Sequence, residues 1–179
     1  MVRQRGGKLV TWAIKRAGKE DCDDLALIGA ATFLETFAGI LSGRAIVAHC
    51  RREHSADAYS GQFDKGAHAL LALLQPDDAP VGFALIAAAD LPGMRDGDVE
   101  LKRIYVLSRF HGAGLGAALM DRAVSVAKGE DAKRMLLGVY AENERAIAFY
   151  RKKGFDPIAV RQFDVGGTSY DDVVLAREL

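Results

Sequence analysis

Residues 109–120 read Arg109-Phe-His-Gly-Ala-Gly-Leu-Gly-Ala-Ala-Leu-Met120, directly after an apolar run, Leu101-Lys-Arg-Ile-Tyr-Val-Leu107, whose β-branched and aromatic residues predict a strand. Glycines at 112, 114 and 116 let a strand-to-helix turn bend sharply and leave amide N–H groups unshielded. Leu115, Leu119, Arg122 and Val126 recur at helical spacing up to Lys128-Gly129, so a helix is expected to start at about Leu115. Its unpaired N–H groups and positive dipole end face the same hollow. The stretch therefore predicts an anion cradle of the kind that holds a pyrophosphate.

On the carboxyl side, Arg134 to Tyr140 (RMLLGVY) predicts a buried strand, and Asn143 to Lys153 a helix stopped by Gly154. Phe155 to Phe163 and Ser169 to Arg177 flank Gly166-Gly167 as a terminal hairpin. On the amino side, His68 to Gln75 and Val81 to Ala89 enclose a Pro/Asp turn, which predicts a hairpin in mid-sheet. Leu9 to Arg16 reads as a first strand, followed by a helix entered through Glu20, Asp21, Asp23 and Asp24. Arg44 to Ala58 reads as a second helix with Ile46, Val47 and Cys50 inward; Ala58 to Gly66 carries no clear pattern. The expectation is one mixed α/β (α+β) domain over residues 1–179, with about seven mostly antiparallel strands and about four helices.

The 24 basic and 24 acidic side chains cancel, so no global field calls for nucleic acid or an anionic membrane. No apolar run approaches the ~20 residues that span a bilayer. Cys22 and Cys50 lack paired-cysteine spacing, and the amino end lacks a signal-peptide core, so a reduced, cytoplasmic setting is expected. Neither cysteine has a neighbouring base that would make it a nucleophile. His49 and His54 are five apart rather than four, which does not set two metal ligands on one helix face; no metal is expected.

Asn143, Ala146, Ile147 and Tyr150 stand at i, i+3, i+4 and i+7 and share one helix face, so one ligand could meet an amide and a phenol. A helix cap and a core aromatic would satisfy the same spacing. Gly112-Ala-Gly114-Leu-Gly116-Ala117 also fits the dinucleotide fingerprint G-x-G-x-x-[G/A]. That reading wants an acid at the end of the next strand, and Arg134 to Tyr140 has none.

Strand, glycine turn, helix and strand, followed by Val139 to Phe155 (VYAENERAIAFYRKKGF), resemble the GNAT superfamily of acyl-CoA-dependent N-acyltransferases. The family's pyrophosphate signature, [Q/R]-x-x-G-x-[G/A], is matched by Arg109-Phe-His-Gly112-Ala-Gly114. Its second signature is matched by Asn143, Tyr150 and Gly154-Phe155. ELKRIYV (Glu100 to Val106) and TFLETF (Thr32 to Phe37) look more narrowly like the PaiA-type polyamine and diamine N-acetyltransferases. Residues 39–66 depart from that pattern.

The resemblance implies acetyl-CoA as co-substrate, bound in a cleft between two splayed strands. It implies coenzyme contacts from Ile104, Tyr105 and Val106, from Arg109 and His111, from the Gly112, Ala113, Gly114, Leu115 and Gly116 turn, and from Asn143, Ile147 and Tyr150. It implies a primary amine of a small molecule, such as a polyamine, as acceptor; a peptide α-amine and a non-catalytic CoA-binding role are the alternatives. An aliphatic ammonium has a pKa of ~10.4, so a base must take its proton near neutrality. The family's carboxylate position falls on Glu100. The phenol of Tyr150, with an ordinary pKa of ~10, matches a donor to the departing thiolate. A strand amide near Tyr105 or Val106 would stabilise the oxyanion if a bulge freed it from the ladder. The acids at 20–24 could attract a cationic acceptor. Val173 to Leu175 could pair across a homodimer or finish the sheet of one chain.

Overall fold

A computed structural model describes residues 2–3, 9–165 and 168–179. The short strands β1 (Val2–Arg3) and β2 (Leu9–Val10) form a two-stranded ladder. The other strands are β3 (Trp12–Ala17), β4 (His68–Leu74), β5 (Ala79–Ala88), β6 (Asp98–Val106), β7 (Arg134–Tyr140), β8 (Asp156–Val165) and β9 (Thr168–Glu178). They make one seven-stranded sheet in the order β3-β4-β5-β6-β7-β9-β8. All its pairings are antiparallel except β6 with β7. The expected first strand is broken at Thr11, and the expected turn at Gly166-Gly167 lies outside the described residues.

Among the described residues five helices accompany the sheet, against the expected four or so: α1 (Cys22–Phe37), α2 (Gly43–Glu53), α3 (Ala56–Asp64), α4 (Leu115–Gly129) and α5 (Glu144–Lys152). The extra one arises because the segment read as a single helix breaks at His54, whose φ of −123° is not helical; the Ser55 hydroxyl then accepts the Ala58 N–H and starts α3. On α2 the inward residues are Ala45, Ile46 and His49, whereas Val47 is half exposed.

Alternation along β4 fills both faces of the sheet. Leu70 and Ala72 join the core under α4, with Leu115, Leu119, Met120 and Ala123. Ala69, Leu71 and Leu73 join a second core with Leu25, Ile28 and Tyr59 of α1 and α3. The sheet is thus sandwiched, with α4 on one face and α1 and α3 on the other. The C-terminal strand β9 lies inside the sheet between β7 and β8, with Val174 and Leu175 fully buried. It has no free edge to offer a second chain, so of the two alternatives for Val173 to Leu175 the strand finishes the sheet of one chain, and pairing across a homodimer loses its basis.

The parallel pair β6 and β7 is short. Asp98, Val99 and Glu100 face Arg134, Met135 and Leu136, and beyond Glu100 no pairing continues. The closed end is fastened by a buried ion pair, with Arg134 donating from Nη2 (2.6 Å) and Nε (3.1 Å) to the two Asp98 oxygens and from Nη2 to Gly93 O (2.9 Å). A V-shaped cleft therefore opens from Glu100 onward.

Candidate active site

On the α4 face, the turn after β6 runs through a single 3-10 turn, Ser108–Phe110, into Gly112 and Gly114, both left-handed at φ of +79° and +83°. L-residues with side chains pay about 1–2 kcal/mol there. A Cβ on Gly112, Gly114 or Gly116 would meet nothing within 4 Å, so open space lies beside all three. Among the described residues, the amides of Gly112, Gly114, Leu115, Gly116 and Ala117 have no acceptor; the first helical bond runs from Ala118 N–H to Gly114 O at 3.0 Å. Ala113 N–H makes only a long 3.4 Å contact to Phe110 O. Five free donors at the start of a fifteen-residue helix form a site suited to a diphosphate. That donor set fits the expected coenzyme.

The strand edge facing the cleft is legible from the ladder. Leu107 N–H donates to Val81 O at 3.0 Å, and because antiparallel bonds alternate, Ile104 and Val106 turn their amides away from β5 toward the cleft. Tyr105 by the same parity bonds to β5, so of the two amides proposed for an oxyanion only that of Val106 is free. The bulge exists but sits earlier: Arg103 faces Leu85 and Leu101 faces Ile86, leaving Lys102 as the extra residue. Val106 O is taken by the His111 ring through Nε2 at 2.7 Å. Arg109 is exposed, with its guanidinium 5.2 Å from the Phe110 ring.

Across the cleft, Asn143 caps α5, its Oδ1 accepting the Ala146 N–H at 3.1 Å. Ala146, Ile147 and Tyr150 pack on the α4-side core, as their shared face requires. The Tyr150 ring lies 5.4 Å from Phe149 and 6.1 Å from Phe155. Burial pushes its phenol pKa well up, with a further push from the Tyr105 phenol, so it stays protonated at neutral pH.

The opposite face holds a cavity of about 280 Å³ between α1, α2 and strands β6 to β9. Glu100 reaches it from the last paired position of β6, 5% exposed, with Oε2 accepting from Asp90 N–H (3.1 Å) and Lys102 Nζ (3.0 Å). Phe33, Phe37, Tyr140, Phe163 and Tyr170 supply aromatic wall. The acids near the start of α1 are elsewhere: Asp21 is buried against Lys15 (2.6 Å) and Gly18 N–H (3.1 Å), and none of the four lines the cavity.

Several polar residues here carried no readable signal in sequence. Arg103 Nη2 donates to Glu53 Oε2 and Arg52 Nε to Glu53 Oε1, each at 2.8 Å. Arg161 reaches Asp172 Oδ2 from Nε (3.2 Å) and Nη2 (3.1 Å), and a Cβ on Gly138 would lie 2.8 Å from that Nη2. Gly138 thus makes room for the guanidinium, and a glycine inside an apolar strand was the one local hint of it. His49 stacks on Phe33 at 4.0 Å, and burial lowers its pKa to about 4, so it is neutral at pH 7. Glu35 of α1 accepts from Ser108 N–H (2.7 Å) and Oγ (2.6 Å), tying that helix to the glycine turn. Among the described residues no three metal-ligating side chains gather, both cysteines are free, and no helix is long and apolar enough to cross a membrane.

Residues 40–155 match the model of the Acetyltransferase (GNAT) family. The chain belongs to that family. An uncharacterized N-acetyltransferase of Mycobacterium tuberculosis is 33% identical over 159 residues, covering 89% of this chain and 98% of the relative. Among solved structures, the PaiA N-acetyltransferase of Thermoplasma acidophilum in complex with coenzyme A superposes with a TM-score of 0.75 at 21% identity, covering 94% of this chain and 99% of that one. A ribosomal-protein-alanine N-acetyltransferase from Brucella melitensis gives a TM-score of 0.69 at 22% identity, covering 93% and 99%. This GNAT protein is an acyl-CoA-dependent N-acetyltransferase with the fold of those neighbours.

Proposed function

We propose that the protein transfers an acetyl group from acetyl-CoA to a primary amine of a small molecule, by direct attack in a ternary complex. The observation that carries this reading is the row of unpaired amides from Gly112 to Ala117 opening beside a strand pair that parts at Glu100. Acetyl-CoA, when bound, supplies the acyl thioester. The free amides hold its diphosphate, assisted at the rim by Arg109 and His111, and the cleft-facing main chain of Ile104 and Val106 lies along its arm, with Asn143 and Ile147 on the other wall.

Glu100 takes the ammonium proton, directly or through water, at its uncommitted oxygen Oε1. The Val106 N–H is positioned for the oxyanion, and the protonated Tyr150 hydroxyl gives a hydrogen bond or proton to the leaving sulfur. A cavity of about 280 Å³, just below the roughly 300–1,000 Å³ that takes a drug-sized ligand, favours a small molecule over a peptide chain. Calorimetry with acetyl-CoA and with free CoA tests the reading: tight binding of both is expected, and absence of both removes it.

A further inference from the structure

We infer that the acceptor is an amine that also carries an acid group, a carboxylate or its equivalent, and that the Arg52–Glu53–Arg103 triad receives that group. This rests on the acetyltransferase reading above and specifies its acceptor.

The cavity has four cationic side chains, Arg52, Lys102, Arg103 and Arg161. It has three carboxylates, Glu53, Glu100 and Asp172, and all three are engaged. Lys102 faces Glu100 and Arg161 faces Asp172, one to one. Glu53 alone stands between two guanidiniums. The histidines add no further positive charge, because burial lowers the pKa of His49 to about 4 and of His54 to about 3. One positive charge is therefore left over, and it lies at the α2 wall.

Arg52 shares its charge with solvent, its side chain being 68% exposed, but Arg103 does not. Its side chain is 15% exposed, and its guanidinium stands 5.7 Å from the ring of the fully buried Tyr59. Shared between Arg103 and Arg52, Glu53 offers each one oxygen, so neither arginine has the bidentate carboxylate its fork accommodates. On the same wall, the Nδ1 of His49 is buried without a partner among the described residues. A buried polar atom left unpaired is costly, and a polar ligand group would recover that cost.

The complement of this wall is an anion, carried by the same molecule as the amine that must reach Glu100. A diamine or polyamine would bring two or more positive charges to a cavity that already holds one in excess and whose every carboxylate already faces a cation. An amino acid or similar zwitterion brings none in net, and its acid group meets the unmatched guanidinium. The aromatic walls from Phe33, Phe37 and Tyr170 suit an apolar side group on such an acceptor.

The test uses matched pairs that differ only in the acid: phenylalanine against phenethylamine and tyrosine against tyramine, with putrescine and spermidine alongside. Binding to the CoA-saturated protein and CoA release from acetyl-CoA are both read at millimolar acceptor. The acid-bearing members are expected to act at about ten- to hundredfold lower concentration, the worth of a charged hydrogen bond. Arg103→Gln should abolish that advantage, and the more exposed Arg52→Gln should reduce it if the first variant folds poorly.

Glu53→Gln should sharpen the preference severalfold, because it leaves two guanidiniums unmatched; a structural role alone would weaken both members alike. An equal response within pairs, a preference for the diamines, or no response to any acid-bearing member overturns the inference. Should acetyl-CoA itself fail to bind in calorimetry, the acetyltransfer reading falls instead.

Discussion

On the α4 face of the sheet, the polar groups left open are main-chain amides clustered between Gly112 and Ala117; on the α1 face they are side chains gathered from α2 and strands β6, β8 and β9. The first arrangement asks of the sequence only that the turn can adopt its left-handed angles, so its chemistry survives changes of side chain nearby. The second is set residue by residue, and each ion pair can be retuned by one substitution. On the proposed reading, a binding face made of backbone and an opposite face made of side chains let one coenzyme site serve different acceptors.

The sharpest way to break that contrast is at the groups proposed to carry protons between the faces. Tyr150→Phe and Glu100→Gln should each lower kcat by about 10²–10⁴-fold, while the acetyl-CoA Kd measured by calorimetry stays put, because the amides proposed to hold the diphosphate are untouched. The two should part company with pH. Raising it deprotonates the amine without help and restores part of the Glu100→Gln activity, but does nothing for a missing phenol. Turnover unchanged in either variant removes that residue from the mechanism.

Next in size is the clamp that closes the V. Removing one partner of a buried ion pair costs about 3–5 kcal/mol, because the other charge is left buried alone. Asp98→Ala should therefore lower the unfolding free energy by about that much in a denaturant titration, and should impair both faces together, since both depend on where β6 and β7 part. Burial by itself would raise the Asp98 pKa, but the hydrogen bonds from Arg134 and the Arg95 N–H, with their charges, hold it below the ordinary value. A depressed carboxylate stabilises above its unfolded pKa and loses that contribution as pH falls through the folded one. The wild-type advantage over Asp98→Ala should accordingly be full at neutral pH and fade only below about pH 4, near the ordinary Asp value of ~3.9.

The same contrast explains which parts of the molecule could be read in advance. The boundaries of α4 and β7, the cap at Asn143 and the shared face of Ile147 and Tyr150 all follow from local spacing, and each appears as expected. A backbone cradle is written in glycine spacing, which is local. The cavity is not, because Glu53 meets Arg103 across 50 positions of sequence and no pattern within α2 announces its partner. Arg44 to Ala58 reads as one helix, and Ala58 to Gly66 as unpatterned, for a related reason: Ser55, a cap by chemistry, lies inside a run whose composition is otherwise compatible with helix. The C-terminal strand looked equally suited to an edge or an interior, and only the return of β8 beside it decides.

The smallest effect tests whether the two faces are as separate as the contrast implies. Glu35 projects from α1 and accepts two hydrogen bonds from Ser108, the residue that opens the turn toward Gly112. The Ser108 hydroxyl, more than any other group, draws the Glu35 carboxyl below its ordinary pKa, and His111 adds to this. The link is therefore present at neutral pH and lost as pH falls through that lowered value. It is exposed to solvent, so its worth is modest. Glu35→Gln should weaken acetyl-CoA binding by about two- to fivefold at pH 7, and speed hydrogen exchange at the Ser108 amide. Both differences from wild type should shrink once acid has neutralised Glu35. An unaltered Kd with unaltered exchange would mean that the glycine turn holds its shape without α1, and that substitutions on the acceptor side leave the coenzyme side alone. A measurable shift would mean that α1, which also supplies Phe33 and Phe37 to the cavity, carries strain from one face to the other.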